Sequence, residues 1–221
     1  MSKKASIPLA AAAAVGGLLW RAHRTRNWGA TVDECAASYP GDELIPDPAG
    51  TTTRAVTIAA PAEEVWRWLV QIGRGRGGMY SYDGLENLIG LDIHSADQIR
   101  DEWQDLAVGD RVVLVRPGWM GMKQGYSLPV EHLDPGRAIV LRQAPPEHPW
   151  NAIWTFVVVP QGPGSSRLIS HDRAARRPGV AGRFEAVADS LMEPVTTLMT
   201  RRMLLGIKER AERPGPVAIA G

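Results

Sequence analysis

The pattern of apolar and polar positions predicts a strand followed at once by a helix near the start of the globular part. Residues 56–60 alternate around a strongly apolar face, which is typical of a strand with one buried side. Pro61 ends this alternation, and apolar residues then recur at helical spacing between residues 62 and 72. A second short helix is predicted over residues 83–89, after a glycine-rich stretch.

The middle of the chain predicts an antiparallel meander. Five short segments carry alternating or continuous apolar side chains and are separated by turn residues. They are residues 111–116, 126–133, 138–143, 152–159 and 167–173. Residues 134–137 read Asp-Pro-Gly-Arg, which is typical of a type II turn because proline fixes φ and glycine accepts a positive φ. Residues 152–159 are apolar on both faces, which predicts a central strand.

The last amphipathic segment predicts a long helix that packs on the sheet. Ser190 and Glu193 have the spacing of a capping box, which predicts the helix start, with Pro194 in the first turn or at a kink. Apolar residues then recur at helical spacing up to Ala211. The predicted fold is α+β: a twisted antiparallel sheet wrapped around a long C-terminal helix, with two short helices after the first strand. A gap between such a sheet and helix is a natural ligand cavity.

An apolar run over residues 7–20, with basic residues on both sides, precedes the globular part. It is short for a membrane-spanning helix, which needs about 20 apolar residues. The interpretations are a membrane anchor, a helix that does not bind membranes and a cleaved signal peptide, and the lack of small residues at the end of the run disfavours cleavage. The anchor is the first choice, and it predicts a membrane-associated protein with a cytoplasmic domain. Without it the protein would be cytoplasmic.

Shifts in composition divide the chain into four predicted parts. Residues 1–26 form the hydrophobic N-terminal segment, and residues 27–52 form a polar, proline-containing lead-in that suits a tether or a strap along the domain. Residues 53–213 form the ligand-binding domain, and residues 214–221 are predicted to form a flexible tail.

Composition and charge exclude several classes of function. The net charge of +1 gives no general attraction to nucleic acid. Cys35 is the single cysteine, so an intramolecular disulfide is excluded. The five histidines show no metal-binding spacing, and the glycine-rich residues 73–78 lack the Lys-Ser/Thr pair of a phosphate-binding loop. Neither a metal nor another cofactor is predicted.

Four segments resemble one protein superfamily. They read TTTRAVTIAAPAEEVWRWLVQIG, MYSYDGLENLIGLDIHSADQI, LAVGDRVVL and MEPVTTLMTRRMLLGIKERAE. They are similar to the SRPBCC superfamily, which contains START-like and Bet v 1-like lipid-transport proteins and polyketide cyclases/dehydratases, and more closely to a branch of actinobacterial type. The resemblance implies a helix-grip (Bet v 1-like) fold. It does not choose a function, because the superfamily includes lipid carriers, hormone receptors, ring-closing enzymes and chaperone activators.

Polar and aromatic residues around the second short helix are the first candidates for chemistry. Tyr82, Asp83 and Glu86 could act as acid and base on a carbonyl compound if they converge on an apolar pocket. In the simpler interpretation, Asp83 caps the helix, the tyrosines pack at the cavity mouth and Asn87 satisfies backbone groups. The sequence leaves both interpretations open.

The leading prediction for function is non-covalent binding of a hydrophobic small molecule or lipid between the sheet and the C-terminal helix. The predicted ligand-binding residues are Tyr80, Tyr82, Asn87, His94, Trp154, Met199 and Met203. Methionine side chains adapt to irregular apolar shapes, which suits such a ligand. A metal-free cyclase or dehydratase and a ligand-free interaction module are the alternatives.

Overall fold

The computed structural model describes residues 26–176 and 179–213, with residues 180–191 described by their backbone alone. The predicted anchor over residues 7–20 and the predicted tail over residues 214–221 lie outside the described residues. Within the described part, no helix is both long enough and apolar enough to cross a membrane. The anchor stays a prediction from the sequence.

An antiparallel sheet of six strands forms the centre of the fold, as predicted. The strands are β1 (Pro48–Ile58), β2 (Arg111–Val115), β3 (Tyr126–Asp134), β4 (Ala138–Gln143), β5 (Ala152–Pro160) and β6 (Ser166–Ala175). Their order across the sheet is β1-β6-β5-β4-β3-β2, so β1 and β2 are the edges and β5 is interior, as its apolar faces predicted. β1 begins inside the predicted lead-in because it pairs with β6 along nearly its whole length.

The turn between β3 and β4 has the geometry that its sequence predicts. Arg137 N donates to Asp134 O at 2.9 Å, which closes the turn. Gly136 has a φ of 81°, a conformation that costs a residue without a Cβ little. The turn therefore fixes the register of these two strands.

The described residues form four α-helices. They are α1 (Val32–Ala36), α2 (Ala62–Val70), α3 (Asp83–Leu88) and α4 (Gly179–Ala211). The predicted short helices after the first strand are α2 and α3, and α4 is the predicted long C-terminal helix. Together with the sheet they confirm the helix-grip fold.

The start of α4 at Gly179 corrects the start predicted at Ser190. Ser190 lies inside the helix, where the backbone N–H groups already bond to the preceding turn and need no capping box. Pro194 also lies inside α4. Proline in a helix interior removes one backbone donor, so the helix passes through this position with one hydrogen bond fewer.

One face of the sheet, the inner face, packs against α2 and α4. Side chains alternate between the two faces along each strand, so every second residue contributes to this core. Its buried members include Val56, Ile58, Leu69, Ile139, Phe156, Leu168, Leu204 and Ile207. This shared core holds the long helix across the sheet.

The opposite, outer face is covered by residues 26–47. The buried contacts of this cover join Tyr39 to Ala55 and Ile169, and Ile45 to Val140 and Ile153. The cover also binds the free edge of β1, because Trp28 O accepts a hydrogen bond of 3.1 Å from Ala55 N. Residues 26–47 therefore form a strap that packs on the outer face of the sheet.

Charged contacts hold the cover to β6. Arg167 Nε lies 2.7 Å from Glu34 Oε1, and Arg173 Nη1 lies 3.0 Å from Asp42 Oδ2. His171 Nε2 lies 3.1 Å from Asp42 Oδ1, so this histidine faces the cover. The cover closes the outer face of the interior strands, and the core closes most of their inner face. A partly exposed side chain on the inner face therefore marks a place where the core is open.

Candidate ligand-binding site

A patch of partly exposed residues lies on the inner face, mainly on the two strands β5 and β6. Asp172 and Ala174 of β6 point to this face, as do Ala152 and Trp154 of β5, because side chains alternate along each strand. Thr52 of β1 pairs with Asp172 and belongs to the same group. These five partly exposed residues are called the inner patch.

Pairing across the sheet brings the members of the inner patch together. Trp154 lies directly opposite Asp172, and Asp172 lies opposite Thr52 on its other side. Ala152 lies opposite Ala174 in the next row. The two alanines are shorter than the side chains of the neighbouring row. This difference in length, with the partial exposure of Trp154 and Asp172, indicates a recess beside that row.

The opening is confined to one end of the inner face. Phe156, two residues after Trp154 on the same side of β5, is completely buried in the core. The exposed surface of Trp154 and Asp172 therefore faces away from the cover and toward α4. The helix borders the recess at Thr197, whose hydroxyl accepts a hydrogen bond of 3.0 Å from Arg54 Nη2.

A charged pair lies at the bottom of the recess. Arg54 of β1 is only 3% exposed, and its Nη1 lies 3.2 Å from Asp172 Oδ2. The same Nη1 donates to Thr52 Oγ1 at 3.1 Å, while Nη2 binds Thr197. Burying a guanidinium is costly unless a counter-charge and hydrogen bonds compensate it. These contacts supply both for the two terminal nitrogens, while the buried Nε has no hydrogen-bond partner among the described residues.

The Asp172 carboxyl is both exposed and enclosed. Of its side chain, 39% is exposed. Burial nevertheless raises its pKa to about 6, against the opposing effects of the Arg54 charge and of the hydrogen bond from Thr52. A side chain with a free surface and many surrounding protein atoms lies in a recess rather than on a convex surface.

Trp154 presents an apolar ring to the recess and keeps its polar atom inside the protein. Its Nε1 donates to Ser170 Oγ at 2.8 Å. Its ring centroid lies 4.7 Å from that of Phe156 in the buried core. Because both contacts fix the indole, the free face of the ring forms a rigid apolar wall.

Aromatic side chains continue the surface beyond the inner patch. Tyr126 and His148 pack edge to face, with ring centroids 5.0 Å apart, and Trp150 lies 6.5 Å from Tyr126. Trp150 Nε1 donates to Gln143, which is paired with Ala152 of the inner patch. His148 Nε2 is buried and has no hydrogen-bond partner among the described residues. The loop between β4 and β5 therefore contains a buried polar atom without a partner in the described part of the chain, next to Tyr126.

Sequence reasoning missed Arg54 and Asp172, although one signal was readable. Arg54, Val56 and Ile58 are spaced two residues apart and therefore lie on the same face of the strand. The strand pattern thus places a charge on the buried face. A charge at such a position needs a counter-charge. The partner, however, is 118 residues away and is identified only by the strand pairing.

Of the predicted site residues around α3, Tyr80 lies in the core. Its phenol donates to Trp68 O at 3.1 Å and accepts from Gln71 Nε2 at 2.9 Å. Burial strongly raises the pKa of this phenol. Its backbone carbonyl lies against α4 at Gly206. These contacts make Tyr80 a packing residue between α2 and α4.

The next three predicted site residues do not converge on a pocket. Asp83 and Asn87 bind groups within the protein, and His94 faces solvent. Asp83 accepts two hydrogen bonds of 2.6 Å, from Ser95 N and Ser95 Oγ. It is therefore not the cap suggested for α3, whose N-cap residue is Tyr82. The Asn87 amide binds both backbone groups of Ile93 at 2.7 Å, as the simpler interpretation held. The His94 side chain is 78% exposed.

Glu86 is the member of the predicted acid–base group with an unexplained buried oxygen. It is 3% exposed, and Ser81 Oγ donates to its Oε1. Its Oε2 is buried without a hydrogen-bond partner among the described residues. Burial raises the pKa of this carboxyl. Tyr82 is half-buried, and its backbone carbonyl accepts a hydrogen bond of 2.9 Å from Glu86 N. A role for Tyr82 and Glu86 in the site stays a prediction.

The two predicted methionine contacts of α4 differ in burial. Met203 is fully buried in the main core, next to Leu204. Met199, one turn earlier, is half-buried. No three His, Cys, Asp or Glu side chains within residues 26–176 and 179–213 are grouped as a metal site requires.

Comparisons with known proteins identify structural neighbours only. No protein-family model and no curated protein matches the chain. The Zhui aromatase/cyclase from a Streptomyces species has 18% identity and a TM-score of 0.44, over 74% of this chain and 94% of its own. Norcoclaurine synthase from Thalictrum flavum has 17% identity and a TM-score of 0.40, over 73% of this chain and 96% of its own.

A polyketide-cyclase-like protein from Corynebacterium glutamicum has 16% identity and a TM-score of 0.40, over 74% of this chain and 91% of its own. These three neighbours resemble the chain in fold alone. At this level of similarity they carry no argument about ligand or reaction.

Proposed function

We propose that the protein binds a hydrophobic small molecule or lipid in the recess between the inner patch and α4. The observation that supports this is the partial exposure of Trp154 and Asp172 on the inner side of interior strands. Side chains at such positions are normally closed off by the core, as Phe156 is. An open apolar wall with a few fixed polar groups is the usual composition of a ligand site.

The indole face of Trp154 supplies much of the expected affinity. A ligand that covers apolar surface gains about 25 cal/mol for each Å² removed from water. The ring is already held by Ser170 and Phe156, so little side-chain entropy is lost on binding. The ligand would therefore stack on Trp154 and extend toward the aromatic residues Tyr126 and Trp150.

Binding of the neutral apolar dye Nile red tests this proposal. We expect the protein to bind the dye and Trp154→Ala to weaken binding by about tenfold, which corresponds to about 1.4 kcal/mol. Trp103→Ala is the matched control, because Trp103 stacks on Arg100 outside the recess. A protein that binds neither the dye nor lipid from an extract would be a ligand-free module, which contradicts the proposal.

A second candidate function is acid–base catalysis, for which Glu86 of α3 is the candidate residue. A buried carboxyl with a raised pKa and a free oxygen can hold or transfer a proton. The test is cyclisation of a linear poly-β-ketone, followed by absorbance of the aromatic product. Glu86→Gln should lower the rate by about a hundredfold or more while leaving Nile red binding unchanged. No turnover by the wild-type protein would contradict this second function.

A further inference from the structure

We infer that the ligand carries a hydrogen-bond donor, a hydroxyl or an amine, that pairs with Asp172, and that carboxylate or sulfate ligands are disfavoured. This inference rests on the proposed function and names the chemical class of its ligand. It follows from the contacts that Arg54 and Asp172 already make. The Arg26–Glu193 ion pair also acts on the Arg54 charge.

Arg54 is not available to an anionic ligand. It is 3% exposed, and its terminal nitrogens are bound to Asp172, Thr52 and Thr197. An anion would have to break a buried ion pair to reach the guanidinium, at the cost of leaving Asp172 without its counter-charge. The positive charge of the pair thus serves the protein fold.

Asp172 is available on its other side. The contacts from Arg54 and Thr52 both use Oδ2, at 3.2 Å each. Oδ1 has no partner among the described residues, and 39% of the side chain is exposed. Trp154 lies directly opposite, so a ligand stacked on the indole would lie beside this oxygen.

The chemistry of a carboxylate then selects the ligand. An ionised carboxylate accepts hydrogen bonds and cannot donate one. A ligand hydroxyl or ammonium satisfies it, whereas a ligand carboxylate or sulfate would place two negative groups together in a poorly solvated recess. A polar acceptor that is covered without a partner also lowers affinity. Neutral alcohols and amines should therefore bind more tightly than anions of the same chain length.

Three probes with the same apolar chain test the inference: decylamine, decanol and decyl sulfate. Each competes with Nile red for the full-length protein at neutral pH. We expect decylamine and decanol to displace the dye at concentrations about tenfold or more below that of decyl sulfate, since hydrogen bonds to charged groups are the stronger ones. Asp172→Asn should remove most of the difference between decylamine and decyl sulfate.

A pH series on the wild-type protein gives a second readout that needs no variant. Protonation of Asp172 removes its negative charge as the pH falls through about 6, so the preference for decylamine over decyl sulfate should shrink there. Decyl sulfate keeps its charge over this range, and decanol has none.

The outcomes separate this inference from the proposed function. Equal binding of the three probes, tighter binding of decyl sulfate, or a preference that does not change with pH overturns the inference and leaves the proposed function standing. If the protein binds Nile red and no probe displaces the dye, the inference is likewise overturned and the proposed function stands. A protein that does not bind Nile red contradicts both.

Discussion

Trp154 and Asp172 lie directly opposite each other on two neighbouring interior strands of the sheet. The indole N–H of Trp154 is bound inside the protein, whereas Oδ1 of Asp172 has no partner among the described residues. Neither residue alone defines a site. Together they place an apolar surface and a hydrogen-bond acceptor side by side on the inner face of the sheet.

Asp172 should make the free energy of unfolding depend on pH. Its pKa in the folded protein is raised from 3.8 to about 6, so between these values the folded protein binds more protons than the unfolded chain. The free energy of unfolding should therefore fall as the pH rises through this window. Denaturant unfolding of wild type and Asp172→Asn over a pH series isolates the effect. A stability difference between them that stays constant across the window would refute it.

Asp83→Ala should lower stability and leave ligand binding unchanged. The variant loses two hydrogen bonds of 2.6 Å to Ser95, which join α3 to the following loop. We expect a loss of about 1–3 kcal/mol in the free energy of unfolding. Nile red titration of the same variant provides the comparison, with the exposed Asp105→Ala as control. Weaker dye binding at unchanged stability would instead support a direct role for Asp83 in the site.

Two helical glycines should respond oppositely to alanine. A Cβ at Gly206 of α4 would lie 2.0 Å from Tyr80 O, whereas a Cβ at Gly84 of α3 would meet nothing within 4 Å. Gly206→Ala should cost at least about 2 kcal/mol, because α4 must move away from Tyr80. Gly84→Ala should be neutral or stabilise by up to about 1 kcal/mol. Thermal unfolding distinguishes the two, and similar melting temperatures would contradict the close packing of α4 on Tyr80.

The parts of the fold that depend on local chemistry were predictable from the sequence. The apolar spacing after Pro61 gave α2, and the Asp-Pro-Gly-Arg sequence gave the turn after β3. The start of α4 was not predictable in the same way. The spacing of Ser190 and Glu193 matches a capping box, but the same residues are tolerated inside a helix that continues through them.

The candidate site was less predictable, because it depends on strand pairing. The residues chosen from sequence, such as Asp83 and Asn87, were close together along the chain and proved to bind neighbouring backbone groups. Trp154 was identified through the alternation of β5. Its partner Asp172 and the buried Arg54 belong to strands whose contact is fixed only when the sheet forms, since Arg54 and Asp172 are 118 residues apart.

The strap of residues 26–47 has a practical consequence for anyone who shortens this chain to remove the apolar N-terminal run. A protein starting at residue 53, where composition alone would place the domain, would lack the first residues of β1 and the whole cover of the outer face. Val140 and Ile153 would then meet water where Ile45 now shields them. Such a fragment should aggregate during purification, whereas one that starts at Arg26 keeps the shield and the pairing of Arg26 with Glu193.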